Sequence, residues 1–246
     1  MNYGQIKKCM DNKSTIYAVC IPGEPVRYEA RSSIVPIMGG AFFLERNERQ
    51  SLKEKGYKFD DDNANFSPLN LFWGELSCVD WIIRNAKEDN IGNAQYRRNW
   101  LEPEDQWYED NVLYVPQSAS FSCSLEQQFY NGHQNFDAPS ITRRFADEGK
   151  WLFSRQEIDA IWAQNSFVGC NMARGSNGNY KRFMTILFSA LLPIWERHKE
   201  EFLSIEGYDK RAIAFIAERI ITGMVLYRDK ILPGMTIATA PIGFIS

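Results

Sequence analysis

The sequence predicts an α/β fold in which helices flank a mostly parallel central sheet. Two apolar runs, residues 15–21 and 34–38, are rich in β-branched side chains and do not alternate with polar ones. Runs of this kind are typical of strands that are buried on both faces of a parallel sheet. A helical period follows at residues 68–86, where apolar side chains recur every three or four positions. Buried strands followed by an amphipathic helix indicate the α/β class.

The remaining elements are predicted from the same two periods. Ser67 and Pro68 mark the start of the helix at 68–86, because serine caps helices well and proline suits the first helical position. Further strands are predicted from residue 91, at 111–116 and at 167–172. Further helices are predicted from Ser122 or Ser124, from Ser154, from about residue 180 with a kink at Pro193, and at 210–226. The helix at 210–226 is apolar nearly all round, so we expect it to be buried.

Length and composition fit one soluble domain. The chain has 246 residues, of which 44% are hydrophobic and 24% are charged, as in an ordinary globular protein. We expect a single domain over residues 1–246 with its core in 15–226. The formal net charge of −3 at pH 7 argues against a general polyanion-binding protein, but it leaves room for a local basic pocket.

The cysteines and the lack of long apolar runs predict a cytoplasmic location. The five cysteines are scattered and form no Cys-x-x-Cys pair, which argues against a disulfide framework and against a zinc site. The two histidines are too few for histidine-rich metal chemistry. No run reaches the ~18 apolar residues of a membrane span, and the first residues lack the apolar core of a signal peptide.

Two adjacent arginines are the strongest indication of a binding site. The strand from residue 91 ends in Tyr96, Arg97 and Arg98. Ligands of open α/β sheets bind outside the carboxyl ends of the strands. A guanidinium group offers a planar fork of donors that fits phosphate or carboxylate, so we expect Arg97 and Arg98 to bind an anionic ligand such as a diphosphate. The alternative is a pair of surface arginines that form salt bridges with the acidic residues just after them.

Two other segments are predicted to hold a nucleoside. The loop after the first strand is a natural place for a nucleotide, and its candidate residues are Cys20, Ile21 and Pro22. The second segment precedes the capped helix, where Asp and Asn side chains suit sugar hydroxyls or a base edge. Its candidate residues are Asp62, Asn63 and Asn65.

Two acidic clusters could hold a divalent metal, although we predict that neither does. Asp60 and Asp62 form an Asp-x-Asp pattern, and carboxylate oxygens suit Mg²⁺ or Mn²⁺. The pattern stands before a helix cap rather than at a strand end, so a solvated turn is favoured. The alternative metal ligands are Glu102, Glu104 and Asp105, which follow the arginines.

The candidates for acid–base catalysis are His133, Asp137 and Glu75. A histidine near a carboxylate, as His133 is near Asp137 in the chain, can move a proton or orient a substrate. A loop histidine that is hydrogen-bonded to backbone is the alternative for His133. On the buried helix, Arg211 and Glu218 need partners, and an ion pair that supports the site is the favoured role for them.

Several blocks in a fixed order carry a family resemblance across residues 15–226. They are Asp62-Asn63-x-Asn65-Phe66-Ser67, Tyr96-Arg97-Arg98, Asn171-Met172 and Arg211-x-x-x-Phe215-x-x-Glu218-Arg219. The chain resembles the glycosyltransferase-like family of capsular and exopolysaccharide gene clusters, the domain of unknown function 4422, whose signature is His-Tyr-Arg-Arg-Tyr-Phe. The resemblance implies a GT-A fold, a Rossmann-like sheet that binds a nucleotide-sugar. Gln95 stands where the signature begins with histidine.

The resemblance implies a hexosyl- or pentosyltransferase that moves a sugar from a nucleotide-diphosphate sugar, expected to be a UDP-sugar, to an acceptor hydroxyl. Arg97 and Arg98 would then neutralise the leaving diphosphate in place of a metal cation. A glycan is the expected acceptor, and a lipid-linked sugar, a protein or a modified nucleic acid remain alternatives. Because Gln95 replaces the histidine, a catalytically silent nucleotide-sugar-binding protein is the second hypothesis. A structural or adaptor protein that binds no nucleotide is the third.

Overall fold

The computed structural model describes residues 13–24, 33–63, 66–101 and 111–244. Its central sheet is mostly parallel and is flanked by helices, which confirms the predicted fold class. The strands are β1 (Ser14–Cys20), β2 (Ile34–Met38), β3 (Lys58–Phe59), β4 (Asn90–Gln95), β5 (Arg98–Trp100), β6 (Val112–Pro116), β7 (Ala119–Ser120), β8 (Ser166–Phe167), β9 (Arg174–Ser176), β10 (Thr236–Ala240) and β11 (Ile242–Phe244).

The helices include one long and several short elements. They are α1 (Arg46–Glu54), α2 (Asn70–Trp73), α3 (Leu76–Asn85), α4 (Leu125–Gly132), α5 (Ala138–Asp147), α6 (Arg155–Ala163), α7 (Asn177–Ser204), α8 (Ala212–Leu226) and α9 (Arg228–Ile231). Short 3₁₀ helices lie at Ala41–Phe43, Ser67–Leu69 and Gly207–Arg211. Within the described ranges, no helix is both long enough and apolar enough to span a bilayer.

The strand order creates a switch in chain direction beside β1. The main sheet runs β3-β2-β1-β4-β9-β6-β10, with β3, β2, β1 and β4 mutually parallel. The chain passes from β1 outward to β2 and β3 and then returns to β4 on the other side of β1. In α/β sheets, the crevice between two strands at such a switch point is where ligands bind. Val19 of β1 pairs with Gln95 of β4, so the carboxyl ends of these two strands lie side by side.

The helix predicted at 68–86 is broken, and the break has a local cause. Ser67–Leu69 is a 3₁₀ turn, α2 ends at Trp73, and α3 begins only at Leu76. Gly74 lies between them with φ 53° and ψ −134°, a conformation that favours glycine. A β-carbon at Gly74 would lie 3.2 Å from Nε of Arg211, so the break also makes room for a neighbouring side chain.

The prediction of a strand at residues 167–172 is wrong. Strand β8 ends at Phe167, and the next strand, β9, begins at Arg174. Between them Cys170 (φ 77°) and Asn171 (φ 48°) adopt left-handed backbone conformations that no strand contains. The apolar run therefore forms a tight turn shortly before β9.

The buried helix and the long helix form much of the core. Helix α8 is buried along nearly its whole length, as predicted, and α7 packs against it. Pro193 lies inside α7, but the non-helical backbone is at His198 (φ −106°, ψ 16°), so the kink is displaced from the predicted position. A separate apolar cluster includes Trp100 and Tyr114, and the guanidinium of buried Arg174 in β9 lies over these two rings at 4.8 and 5.2 Å.

Candidate functional site

A crevice opens at the carboxyl ends of β1 and β4, at the switch point of the sheet. One part of it, the strand-end chamber, has a volume of about 290 Å³. Its walls include Ile21, Pro22, Leu71, Glu75, Gln95, Tyr96, Arg97, Arg98 and Arg211. A second part, the polar chamber, has a volume of about 310 Å³ and shares Glu75, Gln95, Arg97, Arg98 and Arg211 with the first. The two chambers therefore meet at the arginine pair, and each has the size of a small-molecule site.

Arg97 and Arg98 border both chambers and differ in how firmly they are held. Arg97 is exposed, and its guanidinium lies 5.0 Å from the centre of the Tyr96 ring. No carboxylate in the described part of the chain forms an ion pair with Arg97. Arg98 is half-buried, donates through Nη1 to Oε1 of Gln95, and lies 5.0 Å from the Phe244 ring centre. The pair thus offers one loosely held and one oriented guanidinium to the crevice.

Glu75 is the centre of the polar network behind the arginines. It lies at the start of α3 and is buried. Its Oε1 accepts hydrogen bonds from Nε2 of Gln95 (3.0 Å) and Nδ2 of Asn171 (3.1 Å). Its Oε2 accepts one from Nη2 of Arg211 (2.9 Å). Since Gln95 also accepts from Arg98, the carboxylate fixes the wall of the crevice through a chain of side chains.

His133 lies on the wall of the polar chamber and forms a dyad with Asp209. Nδ1 of His133 lies 2.8 Å from Oδ1 of Asp209, and the ring packs 4.1 Å from the Phe215 ring centre. Burial lowers the pKa of His133, although the hydrogen bond to Asp209 acts in the opposite direction. Burial alone would raise the pKa of Asp209, but the hydrogen bonds from His133 and from the backbone N–H groups of Gln134 and Asn135 bring it below its ordinary value. The alternative of a histidine bonded only to backbone is therefore wrong.

Glu218 and Arg219 occupy the far wall of the polar chamber. Oε1 of Glu218 accepts a hydrogen bond of 2.7 Å from the backbone N–H of Cys170, and Oε2 lies 3.2 Å from Nη1 of Arg219. Arg219 donates from Nη2 to Oε1 of Gln128 at 2.7 Å. Burial is the main reason that the pKa of Glu218 is raised. Arg211 and Glu218, which were expected to take part in an ion pair that supports the site, do so with different partners. Arg211 pairs with Glu75, and Glu218 pairs with Arg219.

The candidates for nucleoside binding divide into two groups. Ile21 and Pro22 line the strand-end chamber. Cys20 does not line the chamber, because its side chain is fully buried in the apolar core. Its carbonyl accepts a hydrogen bond of 2.9 Å from the N–H of Gly39. Burial raises the pKa of the Cys20 thiol to about 12, as for an inert core cysteine.

The acidic segment before the broken helix faces α1. Asp62 pairs with Arg49 at 2.9 Å, and Asp61 pairs with the same guanidinium at 2.6 Å. Asn63 lies in an exposed turn with φ 58°. Neither Asp62 nor Asn63 borders either chamber. Asn65 lies outside the described residues.

Asp60 has a structural role that its Asp-x-Asp context concealed. It is fully buried and accepts hydrogen bonds from the backbone N–H groups of Gly40 (2.8 Å) and Ala41 (2.9 Å). The hydroxyls of Ser67 and Ser77 also donate to it. Its oxygens are therefore committed to joining the loop after β2 to the start of α3.

Within the part of the chain that the structure describes, no three His, Cys, Asp or Glu side chains are arranged to hold a metal ion. The alternative ligands Glu102, Glu104 and Asp105 lie outside that part.

Asp137 is a helix cap. Its Oδ1 accepts from the backbone N–H of Ser140 at 3.0 Å and from the hydroxyl of Tyr130 at 2.9 Å. It borders neither chamber. Its proximity to His133 in the chain therefore does not place it beside the crevice, and the dyad partner of His133 is Asp209, which is 76 residues away.

Sequence reasoning missed several residues of the crevice. Asp209 carried no pattern that singles it out, because its partner His133 is 76 residues away in the chain. Asn171 was marked only by its place in a block of the family resemblance. Arg211 and Arg219 did carry a signal, since charged residues within an apolar helix need partners. The partners themselves, Glu75 and Gln128, followed only from the fold.

Comparisons with known proteins give one family and one fold. A family model described as a domain of unknown function (DUF4422) matches residues 24–228. A comparison with curated protein sequences gives no match. Among solved structures, the apo structure of the bifunctional glycosyltransferase WbbM is similar, with a TM-score of 0.68 and 19% sequence identity. The match covers 96% of this chain and 46% of that one, so this chain spans less than half of the length of WbbM. At this identity the similarity concerns the fold.

Proposed function

The chain belongs to the DUF4422 family, and from its crevice we propose that it is a glycosyltransferase of GT-A type that uses a nucleotide-diphosphate sugar, with UDP-sugars as the first donors to test. Family membership alone names no activity. The similarity of fold to a bifunctional glycosyltransferase is consistent with glycosyl transfer. The observation that carries the proposal is the pair Arg97 and Arg98 at the switch point of the sheet.

The arginine pair suits a diphosphate for geometric and electrostatic reasons. Both guanidinium groups border the place where the two chambers meet, at the carboxyl end of β4. Departure of a nucleoside diphosphate leaves negative charge on its terminal phosphate. Preorganised cationic donors stabilise such charge without needing to reorganise. In this proposal the arginines do the work that a metal cation does in other transferases, and Tyr96 supports Arg97 through its ring.

The two chambers suggest how the donor lies. The strand-end chamber, with Ile21 and Pro22, takes the nucleoside. The polar chamber takes the transferred sugar, because its hydrogen-bonding side chains match sugar hydroxyls. Glu75 acts as a positioning residue, since donors from Gln95, Asn171 and Arg211 occupy its carboxylate. The acceptor in this proposal is a hydroxyl group of a glycan.

Calorimetry with UDP tests the role of the arginines. A charge-assisted hydrogen bond is worth about 1.5–3 kcal/mol, so Arg98→Ala should weaken UDP binding by about 10- to 100-fold. Arg97→Ala should cost about 3- to 10-fold, because exposed Arg97 is screened by solvent and salt. UMP lacks the second phosphate and should lose less affinity in both variants. Arg182→Ala is the matched control, since Arg182 is exposed, lies outside both chambers and, among the described residues, donates hydrogen bonds to the carbonyl of Pro233.

Turnover separates the proposal from its alternatives. Release of UDP from a panel of UDP-hexoses and UDP-pentoses, with and without EDTA, is expected from the wild-type chain. Binding of UDP without turnover of any donor would favour a catalytically silent binding protein. That alternative is considered because Gln95 replaces the histidine of the family signature. Absence of any nucleotide binding would indicate a structural protein. Unchanged UDP affinity in both arginine variants would refute the assigned site.

A further inference from the structure

We infer that Glu218 is the catalytic base, the group that takes the proton from the acceptor hydroxyl. This inference rests on the proposed function and deepens it by naming a residue that the arginine site does not include. Three independent features of the structure support it: the position of Glu218 between two cavities, the backbone that holds it, and the charges around it.

Glu218 lies where the polar chamber meets a third cavity, which is distinct from the strand-end chamber. The outer groove, a cavity of about 520 Å³, opens on the other side of Glu218 and is lined by Arg98, Phe121, Phe167, Cys170, Glu218 and Phe244 among others. Three residues, Arg98, Phe167 and Glu218, border both the outer groove and the polar chamber. A carboxylate in that position can contact a molecule in the groove and face a sugar in the polar chamber at once.

The outer groove suits a carbohydrate acceptor. Its lining is more apolar than that of the polar chamber and includes aromatic rings, of which Phe244 is 76% exposed. Apolar and aromatic walls with a few convergent polar groups are typical of sites for small organic ligands. Gln117 and Ser118 also line the groove, and its charged groups are the guanidinium of Arg98 and the carboxylate of Glu218. A leaving diphosphate requires a cation such as Arg98, and an attacking hydroxyl requires a base such as Glu218.

The backbone at Cys170 is arranged to hold Glu218. Cys170 has φ 77°, a left-handed conformation that is unfavourable for a residue other than glycine. In this conformation its N–H donates to Oε1 of Glu218 at 2.7 Å. The side chain of Glu218 keeps 18% exposure, so its carboxylate is held in place and still reachable. Strained backbone of this kind clusters at functional sites.

The charges around Glu218 suit a group that must first be ionised and then accept a proton. Burial raises the pKa of Glu218, and the nearby carboxylate of Glu75 acts in the same direction. Arg219, Arg98 and the N–H of Cys170 act in the opposite direction and keep the ionised form accessible. A general base works best when its pKa lies near the working pH.

The step that follows is a single displacement. The acceptor oxygen forms a bond to the anomeric carbon of the donor, and its proton passes to Glu218. The bond between the anomeric carbon and the diphosphate breaks, and its electron pair leaves on the phosphate oxygen beside Arg97 and Arg98. A single displacement inverts the configuration of the anomeric carbon, so the product should have the opposite configuration to the donor.

Azide tests this assignment because it attacks without losing a proton. UDP-hexoses and UDP-pentoses are the donors, and water or azide is the acceptor. Glu218→Gln should slow transfer to water by at least about 100-fold, the usual contribution of a general base. The same variant should transfer to azide within threefold of wild type and should bind UDP within threefold. Glu218→Asp, which keeps the charge but is one methylene shorter, should lie between the two.

Competing results are distinguishable. Transfer to water at the wild-type rate by Glu218→Gln, or a product that retains the donor configuration, would overturn the inference. Loss of transfer to water with rescue by azide in His133→Gln instead would assign the base to His133. A wild-type chain that does not bind UDP, or binds it without turnover, would overturn the proposed function and this inference with it. Urea unfolding and circular dichroism check that each variant is folded.

Discussion

Removal of Glu75 should destabilise the whole crevice, and the size of the effect follows from its contacts. In Glu75→Ala, Gln95, Asn171 and Arg211 each lose an acceptor at 2.9–3.1 Å. A buried polar group that loses its partner costs about 1–3 kcal/mol. Arg211 contributes at the low end of that range, because its side chain is 41% exposed and water can replace the carboxylate. The Gln95 and Asn171 amides each keep a second acceptor, the carbonyls of Cys170 and Ala214, so neither reaches the top of that range. The sum is a loss of about 3–5 kcal/mol in the free energy of unfolding.

Urea unfolding measures this loss, and two other variants calibrate it. Glu75→Gln keeps one acceptor oxygen and the side-chain shape, so it should cost about 1–2 kcal/mol. Glu48→Ala, at an exposed position of α1, should stay within about 0.5 kcal/mol of wild type. The dependence of the free energy on urea concentration should not change. A loss below about 1 kcal/mol in Glu75→Ala would refute the reasoning that Glu75 organises the crevice.

Two further predictions concern the pH dependence of stability and the break before α3. Because burial lowers the pKa of His133, the unfolded chain binds a proton there before the folded chain does, so the free energy of unfolding should fall as pH drops below about 6.5. His133→Gln should flatten that decline in urea titrations between pH 7 and pH 5, and an unchanged profile would contradict it. Gly74→Ala should lower the free energy of unfolding by about 2 kcal/mol, because alanine would have to adopt φ 53° and its β-carbon would press against Arg211. Thermal unfolding measures this loss, and an unchanged stability would contradict the steric explanation.

The sequence predicted well what local pattern determines. Strands β1 and β2 lie where their apolar runs predict, and the buried helix α8 follows from the absence of a polar face. The position of Arg97 and Arg98 beside the crevice could also be predicted from the sequence, because two cations after a strand end are a local feature. Helix α1 was missed for the converse reason: it buries no side chain and so has no hydrophobic period to detect.

The parts that failed depend on contacts between distant segments. The apolar run at 167–172 would suit a strand, but the Glu218 side chain of α8 accepts a hydrogen bond from the N–H of Cys170, where the backbone forms a turn. The helix predicted at 68–86 breaks at Gly74, where Arg211 packs against the chain. In both cases the decisive partner lies on or next to α8. A pattern read along 20 residues contains no information about such a partner.

The most direct test of the central claim is a crystal structure of the chain with UDP. The diphosphate is expected between the guanidinium groups of Arg97 and Arg98, with both within hydrogen-bonding distance of its oxygens. The uridine should then lie in the strand-end chamber beside Ile21 and Pro22. A diphosphate bound elsewhere, with both arginines directed away from it, would show that the arginine pair is not the diphosphate site.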